Sequence, residues 1–164
     1  MISTDIGMFL WALPIGLSLH VVEEFAFPGG FVRWMEHYNH RRLKGTGYYV
    51  VLNGAAILGS VAIALLAKSV VGYWVYLYTV ALLAGNAASH LRAAVRQKKY
   101  CPGSVTGALL LIPLFLFSSW QLITKAVVGW PFAILGIGMG LFVGFYVFAV
   151  DVRRSNSQVA SRTA

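Results

Sequence analysis

Long apolar runs dominate this chain and restrict what it can fold into. Five of them stand out, at about residues 6–27, 48–67, 70–95, 105–123 and 130–150. Each is close to the length of about 20 apolar residues that an α-helix needs to cross a bilayer. In lipid every backbone amide has to be paired within its own segment, so helix is the expected state of each run. We therefore predict an all-α integral membrane protein with about five transmembrane helices, forming one domain over residues 1–152.

The composition agrees with a membrane protein. Of the 164 residues, 59% are hydrophobic and 11% are charged, whereas a soluble domain carries about 25% charged residues. The formal net charge of +8 is also typical of nucleic-acid-binding proteins, but here the basic residues lie between the apolar runs and do not form one surface. We therefore expect membrane lipids, and no nucleic acid, as partners.

The basic residues predict the orientation in the membrane. They follow the first, third and fifth runs, at Arg33, Arg41, Arg42 and Lys44, at Arg92, Arg96, Lys98 and Lys99, and at Arg153, Arg154 and Arg162. With five spans, all three regions lie on the cytoplasmic side, as the positive-inside rule requires. We predict a multi-pass protein of the inner or plasma membrane, with its N-terminus outside. Residues 153–164 are expected to form a disordered cytoplasmic tail.

The segment at about residues 30–44 predicts one further helix. Phe31, Trp34, Met35 and Tyr38 recur at positions i, i+3, i+4 and i+7, and the positions between them are largely charged or histidine. This pattern is typical of an amphipathic helix that lies on a membrane interface, here the cytoplasmic one.

Glycines recur at four-residue intervals in the fifth run, at Gly136, Gly140 and Gly144. Small residues with this spacing let a second helix approach closely. The second helix could belong to the same chain or to another copy, so a homo-oligomer through this face is one of two interpretations.

Ionisable residues within the apolar runs are the strongest functional signal. Glu23 and Glu24 follow His20 by three and four positions, so both carboxylates can share a helix face, or adjoining faces, with the imidazole. Asn86 and His90 are likewise four positions apart in the third run. A charged side chain at membrane depth costs about 2.5–3.5 kcal/mol on insertion scales. Retaining several of them together indicates a function.

The predicted topology brings these residues to one level. The first and third runs both cross from outside to inside, so their polar ends meet near the cytoplasmic boundary. The second run begins there and has Asn53 a few residues into it, and the Pro102-Gly103 pair precedes the fourth run. We predict a site at this level. Its catalytic residues are predicted to be His20, Glu23, Glu24, Asn86 and His90. Asn53 and Arg92 are predicted to bind the substrate.

The same motifs carry a family resemblance. His20-Val21-Val22-Glu23-Glu24, Asn86-Ala87-Ala88-Ser89-His90 and Pro102-Gly103 occur in that order. In this the chain resembles the HXXEE-domain family of small bacterial and archaeal membrane proteins, and the resemblance covers nearly the whole chain. It implies a membrane enzyme of undefined chemistry and supports the choice of site residues, but it does not name a substrate.

Several mechanisms are compatible with such a site. A zinc or iron ion held by a set drawn from His20, Glu23, Glu24 and His90 could assist chemistry on a lipid-like substrate. A metal-free enzyme could use the same groups as acid and base, to isomerise or cyclise a lipid or isoprenoid. A proton- or ion-coupled transporter could use them as a relay, and a structural role is the simplest alternative.

Cys101 is the only cysteine, so an intrachain disulfide is excluded.

Overall fold

The computed structural model describes residue 7, residues 9–39 and residues 45–160. The protein is 84% helical, and no strand occurs in this part of the chain. We number its helices in chain order as α1 (Ala12–Phe25), α2 (Phe31–Asn39), α3 (Thr46–Leu66), α4 (Val70–Gln97), α5 (Ser104–Thr124) and α6 (Trp130–Ala160). The all-helical class that the apolar runs predict is therefore confirmed.

Helices α3, α4 and α5 are long and apolar enough to cross a membrane. Their lengths are 21, 28 and 21 residues, and these three helices indicate a membrane protein. The apolar part of α6 within the described residues, Trp130–Tyr146, is shorter, and α1 has 14 residues. Because a span needs about 20 residues, helix length does not confirm the predicted total of five spans.

Residues 7, 9 and 10 are helical, and a turn at Trp11 separates them from α1, which begins at Ala12. Pro14 explains the interruption, since proline has no N–H to donate to the carbonyl group of Leu10. From there α1 buries one face against α3 and α5, with Leu13 and Leu17 in the main hydrophobic core. This face continues into the site residues at the end of the helix.

Helix α4 is the centre of the bundle and packs most extensively against α6. The two backbones touch because glycines line the contact: a Cβ atom on Gly85 would lie 2.6 Å from the carbonyl oxygen of Leu141. Side chains on Gly140 and Gly144 would overlap the backbone of α4 at Tyr78 and Leu82. The glycine face of the fifth apolar run is thus filled by a helix of the same chain.

Helix α2 is joined to α1 by Pro28-Gly29-Gly30, in which both glycines have positive φ angles, of 69° and 86°. Its residues Phe31 and Met35 are buried, and they form a small second core with Ala93 and Cys101. The described helix ends at Asn39, and residues 40–44 of the predicted amphipathic helix lie outside the described residues. Its position on a membrane interface stays a prediction.

Helix α6 continues to Ala160 and so includes the first part of the segment predicted to be a disordered tail. Residues 151–160 contain neither proline nor glycine, the two residue types that most strongly end a helix. The helix of the apolar run therefore extends into the polar sequence. Residues 161–164 lie outside the described part of the chain.

Candidate metal centre

Three buried side chains converge where α1 and α4 end. His20 and Glu24 lie one turn apart on α1, and His90 lies on α4. The Oε1 atom of Glu24 is 3.5 Å from Nε2 of His20 and 3.1 Å from Nε2 of His90. The relative exposures of the three residues are 3%, 5% and 0%. One potential ligand atom from each lies within 4.8 Å of the other two.

The other ring nitrogen of His20 is held by a short chain of hydrogen bonds. Its Nδ1 atom is 2.9 Å from the hydroxyl oxygen of Thr106, and that hydroxyl donates in turn to Oε2 of Glu23. An ionised carboxylate accepts hydrogen bonds and a hydroxyl group has one hydrogen to give. Thr106 must therefore accept from Nδ1–H of His20. In the neutral imidazole this leaves a lone pair on Nε2.

His90 is held in a similar way by Cys101. The thiol donates to the carbonyl oxygen of Pro102 across 3.6 Å, and its sulfur atom lies 3.5 Å from Nδ1 of His90. Burial, together with the Glu24 and Glu23 carboxylates, raises the pKa of the Cys101 thiol to about 12. The neutral thiol has one hydrogen, and when the carbonyl group takes it, sulfur accepts from Nδ1–H of His90. The Nε2 atom of His90 then also presents a lone pair.

With both imidazoles in these tautomers, the three facing atoms of the cluster repel one another. Two imidazole lone pairs face one carboxylate oxygen, and all three atoms are acceptors. The Nε2 atom of His20 is buried and has no partner with hydrogen-bond geometry, although the Asn86 amide lies close enough to this imidazole to interact with it. Either a cation or a shared proton between the three side chains would remove the repulsion.

Two of the three separations between the ligand atoms fit a metal ion. Zinc binds nitrogen and oxygen ligands at about 2.0–2.2 Å, and a tetrahedral arrangement of such bonds separates the ligand atoms by about 3.3 Å. The two observed separations, 3.5 and 3.1 Å, lie on either side of this value. Two imidazoles and one carboxylate are also a common ligand set for catalytic zinc and for non-haem iron.

Glu23 points away from this cluster and anchors the start of α5. Its carboxylate accepts hydrogen bonds from the backbone N–H groups of Val105 and Thr106, at 3.1 and 2.7 Å, and from the Tyr100 hydroxyl at 2.7 Å. A carboxylate is stabilised at a helix N-terminus because the first N–H groups of a helix lack partners within it. Burial and the bond to Glu23 raise the pKa of Tyr100, so this phenol stays a donor. The two adjacent glutamates therefore have different partners: Glu24 contacts the histidines, and Glu23 contacts the start of α5.

Gly103 lies directly against both histidine rings. A Cβ atom at this position would come within 2.8 Å of Cε1 of His20 and 3.1 Å of Cε1 and Nδ1 of His90. Its φ angle of 89° lies in the left-handed region that favours glycine. Glycine is therefore required on both counts, which explains why the Pro-Gly pair belongs with the histidine motifs.

A pocket of about 290 Å³ opens from the cluster. His20 and Glu24 lie in its wall, together with Asn53 and Asn86. The remaining lining is apolar or aromatic and comes from five helices, at Leu17, Phe31, Met35, Tyr49, Leu52, Ala56, Leu82, Leu83, Val143 and Gly144. A mostly apolar cavity with a few converging polar groups is typical of a small-molecule site.

The structure thus places four of the seven predicted site residues in the wall of this pocket and a fifth, His90, in the adjoining cluster. His20, Glu24 and His90 form the cluster, and the two asparagines line the cavity beside it. Glu23 serves the neighbouring helix end. Arg92 lies outside the pocket lining, with its guanidinium group 5.3 Å from the centre of the Phe145 ring.

Sequence reasoning missed Thr106 and underestimated Cys101. Thr106 follows the Pro-Gly pair by three residues, and Cys101 precedes it directly. Their closeness to that motif was the available signal, but neither residue type in a loop or at a helix start indicates contact with a distant histidine.

The motifs whose residues meet in this cluster are also those of a known protein family. A family model described as "Protein of unknown function with HXXEE motif" matches residues 11–118. The chain belongs to the HXXEE family. This confirms the resemblance seen in the sequence, and the matched region contains the whole cluster and the Pro-Gly pair. No curated protein and no solved structure matches this HXXEE protein.

Proposed function

We propose that this HXXEE protein is a membrane-embedded enzyme that binds zinc or iron and acts on a lipid-like substrate. The observation that carries the proposal is the meeting of two histidine Nε2 atoms with one oxygen of Glu24 in a buried site. Both imidazoles are oriented from behind through Nδ1. Metal-binding histidines are commonly held in this way, which fixes the ring and its tautomer.

Three protein ligands favour catalysis over a purely structural metal. Structural zinc sites are closed by four protein ligands, whereas catalytic sites keep one position for water or substrate. Among the described residues, the group that could hold a metal consists of His20, Glu24 and His90. A bound zinc ion would supply a water whose pKa is about 7 and would polarise a carbonyl group. This favours hydrolysis of an acyl bond, in which water is consumed and an acid and an alcohol or amine are released.

The remaining residues would then bind and orient the substrate. Asn86 lines the pocket beside His20 and Glu24, so its amide can donate to the oxygen of a polarised carbonyl group. The apolar lining provides a surface for a hydrocarbon chain and keeps bulk water away. Glu23 is engaged by four donors at the start of α5, so we assign it to positioning and not to proton transfer.

We further propose a topology of five spans, with the site near the cytoplasmic boundary. Its support is the three helices of spanning length and the distribution of basic residues. Arg92, Arg96, Lys98 and Lys99 surround the end of α4, only a few residues beyond His90. By the positive-inside rule this end of α4 faces the cytoplasm, with the N-terminus outside and the C-terminus inside.

A metal-free acid–base enzyme is the second candidate. The separation of 3.1 Å between His90 and Glu24 is also a hydrogen-bond length, so a shared proton could take the place of the cation. The same pocket would then serve an isomerisation or cyclisation of a lipid or isoprenoid.

The buried residues of α4 favour an enzyme over a transporter. A second buried polar pair on α4 is the hydrogen bond between Tyr76 and Ser118. Between Tyr76 and Asn86, the buried positions of α4 are Leu77, Val80, Ala81, Leu83, Ala84 and Gly85. These residues supply no side chain that can relay a proton, although relays in transporters need such a series.

The metal content of the purified protein tests the proposal. We expect about one zinc or iron ion per chain by mass spectrometry, lost in His20→Ala and in His90→Ala. His37→Ala, an exposed histidine on α2, is the matched control and should keep the metal. Absence of metal in the wild-type protein, even after zinc or iron is added back, would contradict the metalloenzyme and favour the acid–base mechanism.

A further inference from the structure

The proposed metal site carries a positive charge that its own ligands do not balance. A divalent ion brings two positive charges, the Glu24 carboxylate brings one negative charge, and the rings of His20 and His90 are neutral. A bound cation of this kind is the largest local charge in its site. Among the described residues of the pocket lining, neither lysine nor arginine is present. The metal would therefore be the cation that a ligand meets in this pocket, and a single negative charge on the ligand would balance the site.

The charge of Glu23 is stabilised elsewhere. Its carboxylate accepts hydrogen bonds from Tyr100, Val105 and Thr106 at the start of α5, and Glu23 does not line the pocket. Because these donors already solvate the carboxylate, it does not need the metal as a partner. Glu24 is thus the carboxylate that faces both the proposed metal and the pocket.

The helices that line the pocket can be compared level by level. Helix α1 runs parallel to α4, because the segment just before α1 also contacts α4: the Tyr76 hydroxyl donates to the carbonyl oxygen of Phe9 at 3.3 Å. Helix α3 runs antiparallel to α4, since only residues 67–69 separate the end of α3 from the start of α4. One direction along the bundle therefore leads toward the starts of α1 and α4 and toward the end of α3.

Along this direction the pocket wall changes from polar to apolar. The polar layer consists of His20 on α1, Asn53 on α3 and Asn86 on α4. One turn further on, the same three helices contribute an apolar layer, which consists of Leu17, Ala56, Leu82 and Leu83. Residues three or four apart share a helix face and are separated by about 4.5–6 Å along the axis. The wall therefore suits a ligand with a polar head and an apolar chain that points away from the cluster.

Helix α2 closes the opposite end of the pocket. Phe31 and Met35 are buried and line the cavity there, and the Phe31 ring lies 5.5 Å from the His90 ring. Both residues belong to the small second core that holds α2 in place. A hydrocarbon chain that ran in this direction would have to displace them, whereas the apolar layer includes the exposed residue Ala56 of α3. The chain is thus directed toward the apolar layer.

We propose that the ligand of this pocket is a single-chain acyl compound that binds the metal through its carbonyl or carboxylate head and lays its hydrocarbon chain into the apolar layer. The carboxylic acid that hydrolysis releases supplies the single negative charge that balances the site. Its second oxygen lies within the polar layer, where Asn53 has one N–H beyond the one it donates to the carbonyl oxygen of Tyr49. This deepens the proposed function and rests on it, because it names the substrate class of the same site.

A pair of ligands with the same chain tests the head group. Cobalt(II) takes the same nitrogen and oxygen ligands as zinc and has a visible spectrum that changes with its coordination. Dodecanoate at about pH 8, where its carboxyl group is ionised, should change the spectrum of the cobalt-loaded protein in nonionic detergent. Dodecanol should compete with tritiated dodecanoate at least about 10-fold more weakly, because it brings no charge to the metal. An unchanged spectrum, or equal competition by the alcohol, would overturn the proposal.

Removal of the metal is the control for the head group. After treatment with a chelator, the wild-type protein should bind dodecanoate at least about 10-fold more weakly, because the charge of Glu24 then faces the carboxylate without a cation. Its affinity for tritiated dodecanol should change by less than about 2-fold, since the apolar contacts of the chain remain. Equal affinity for dodecanoate before and after chelation would show that the metal does not hold the head.

Substitutions in the apolar layer test the direction of the chain. Ala56 and Ala55 are both exposed on α3, but only Ala56 lines the pocket. Ala56→Trp should fill the layer and weaken binding of dodecanoate at least about 10-fold, whereas Ala55→Trp should change it by less than about 2-fold. Leu83→Phe repeats the test from α4.

Acetate provides the internal control for these variants, because it is too short to reach the apolar layer. It should change the cobalt spectrum of all three variants at the same concentration as in the wild-type protein, which shows that the metal site is intact. Weaker binding of dodecanoate in Ala56→Trp or Leu83→Phe, with the acetate response preserved, supports the proposed direction. Wild-type affinity for dodecanoate in both variants would overturn it.

Metal analysis of the same samples separates this inference from the proposed function. If neither zinc, iron nor cobalt binds to the wild-type protein, the metalloenzyme fails, and the metal-bound head group fails with it. If the metal binds but dodecanoate neither changes the cobalt spectrum nor depends on the metal for its affinity, the ligand class fails and the metal site stands.

Discussion

Replacing Gly103 by alanine tests whether the Pro-Gly pair supports the histidine cluster. The substitution has two costs that can be worked out separately. An alanine at the φ angle of 89° is strained, which costs about 1–2 kcal/mol. Its Cβ atom would also lie 2.8 Å from His20 and 3.1 Å from His90, and overpacking of this kind costs about 1–3 kcal/mol. We expect a total loss of about 2–5 kcal/mol in the free energy of unfolding.

Gly30 provides the control because it has the same backbone strain without the crowding. Its φ angle is 86°, and a Cβ atom there would have no neighbour within 4 Å. Gly30→Ala should therefore lose only about 1–2 kcal/mol and keep its metal. Gly103→Ala should also bind zinc about 10- to 100-fold more weakly, since it displaces the ligand rings.

The assays are unfolding by sodium dodecyl sulfate in mixed micelles and zinc competition against a chelator. Equal loss of stability in the Gly103→Ala and Gly30→Ala variants, together with wild-type zinc affinity in both, would show that Gly103 does not support the histidines.

Three further substitutions and one labelling reaction probe the cluster. Thr106→Val removes the group that orients His20 and should weaken zinc binding about 10- to 100-fold in the chelator assay; unchanged affinity would refute the assigned tautomer. Glu24→Gln should abolish metal binding, whereas Glu23→Gln should keep the metal and lower the free energy of unfolding by about 1–3 kcal/mol, as the anchor of α5 is weakened. The reverse result would exchange the roles of the two glutamates. Cys101 is fully buried with a pKa raised to about 12, so maleimide at pH 8 should label it about 1,000-fold more slowly in the folded protein than after unfolding. Rapid labelling of the folded protein would contradict the neutral, enclosed thiol.

The bounds of α3, α4 and α5 could be predicted because they depend on local sequence. Each apolar run has the length and hydrophobicity of a helix in lipid, and the observed ends lie within two residues of the predicted ones. Helix α4 illustrates the local signals: the Ser69 side chain caps its first turn by accepting from Gly72. The first run differs in one respect: its helix is interrupted by a turn at Trp11, three residues before Pro14.

The different contacts of Glu23 and Glu24 could not be predicted from local sequence in the same way. Periodicity places both carboxylates near the face of His20, but their neighbours depend on how α1 is rotated against α4 and α5. Only the packed bundle shows that Oε1 of Glu24 meets His90 while Glu23 meets the N–H groups of α5. Thr106 was missed for the same reason, since its contact with His20 spans 86 positions of the chain.

The geometry gives a physical reason for the spacing of the HXXEE motif. Residues four apart on a helix lie one above the other, so His20 and Glu24 can present ligand atoms to the same point, 3.5 Å apart. Glu23 is one position earlier and therefore turned by about 100° around the helix axis, toward the start of α5. From there it binds Thr106, which orients His20 in turn. One turn of helix thus supplies two ligand candidates and the carboxylate that positions one of them. A carboxylate in only one of the two positions would lose either the cluster or its support, which is why the motif needs two adjacent glutamates.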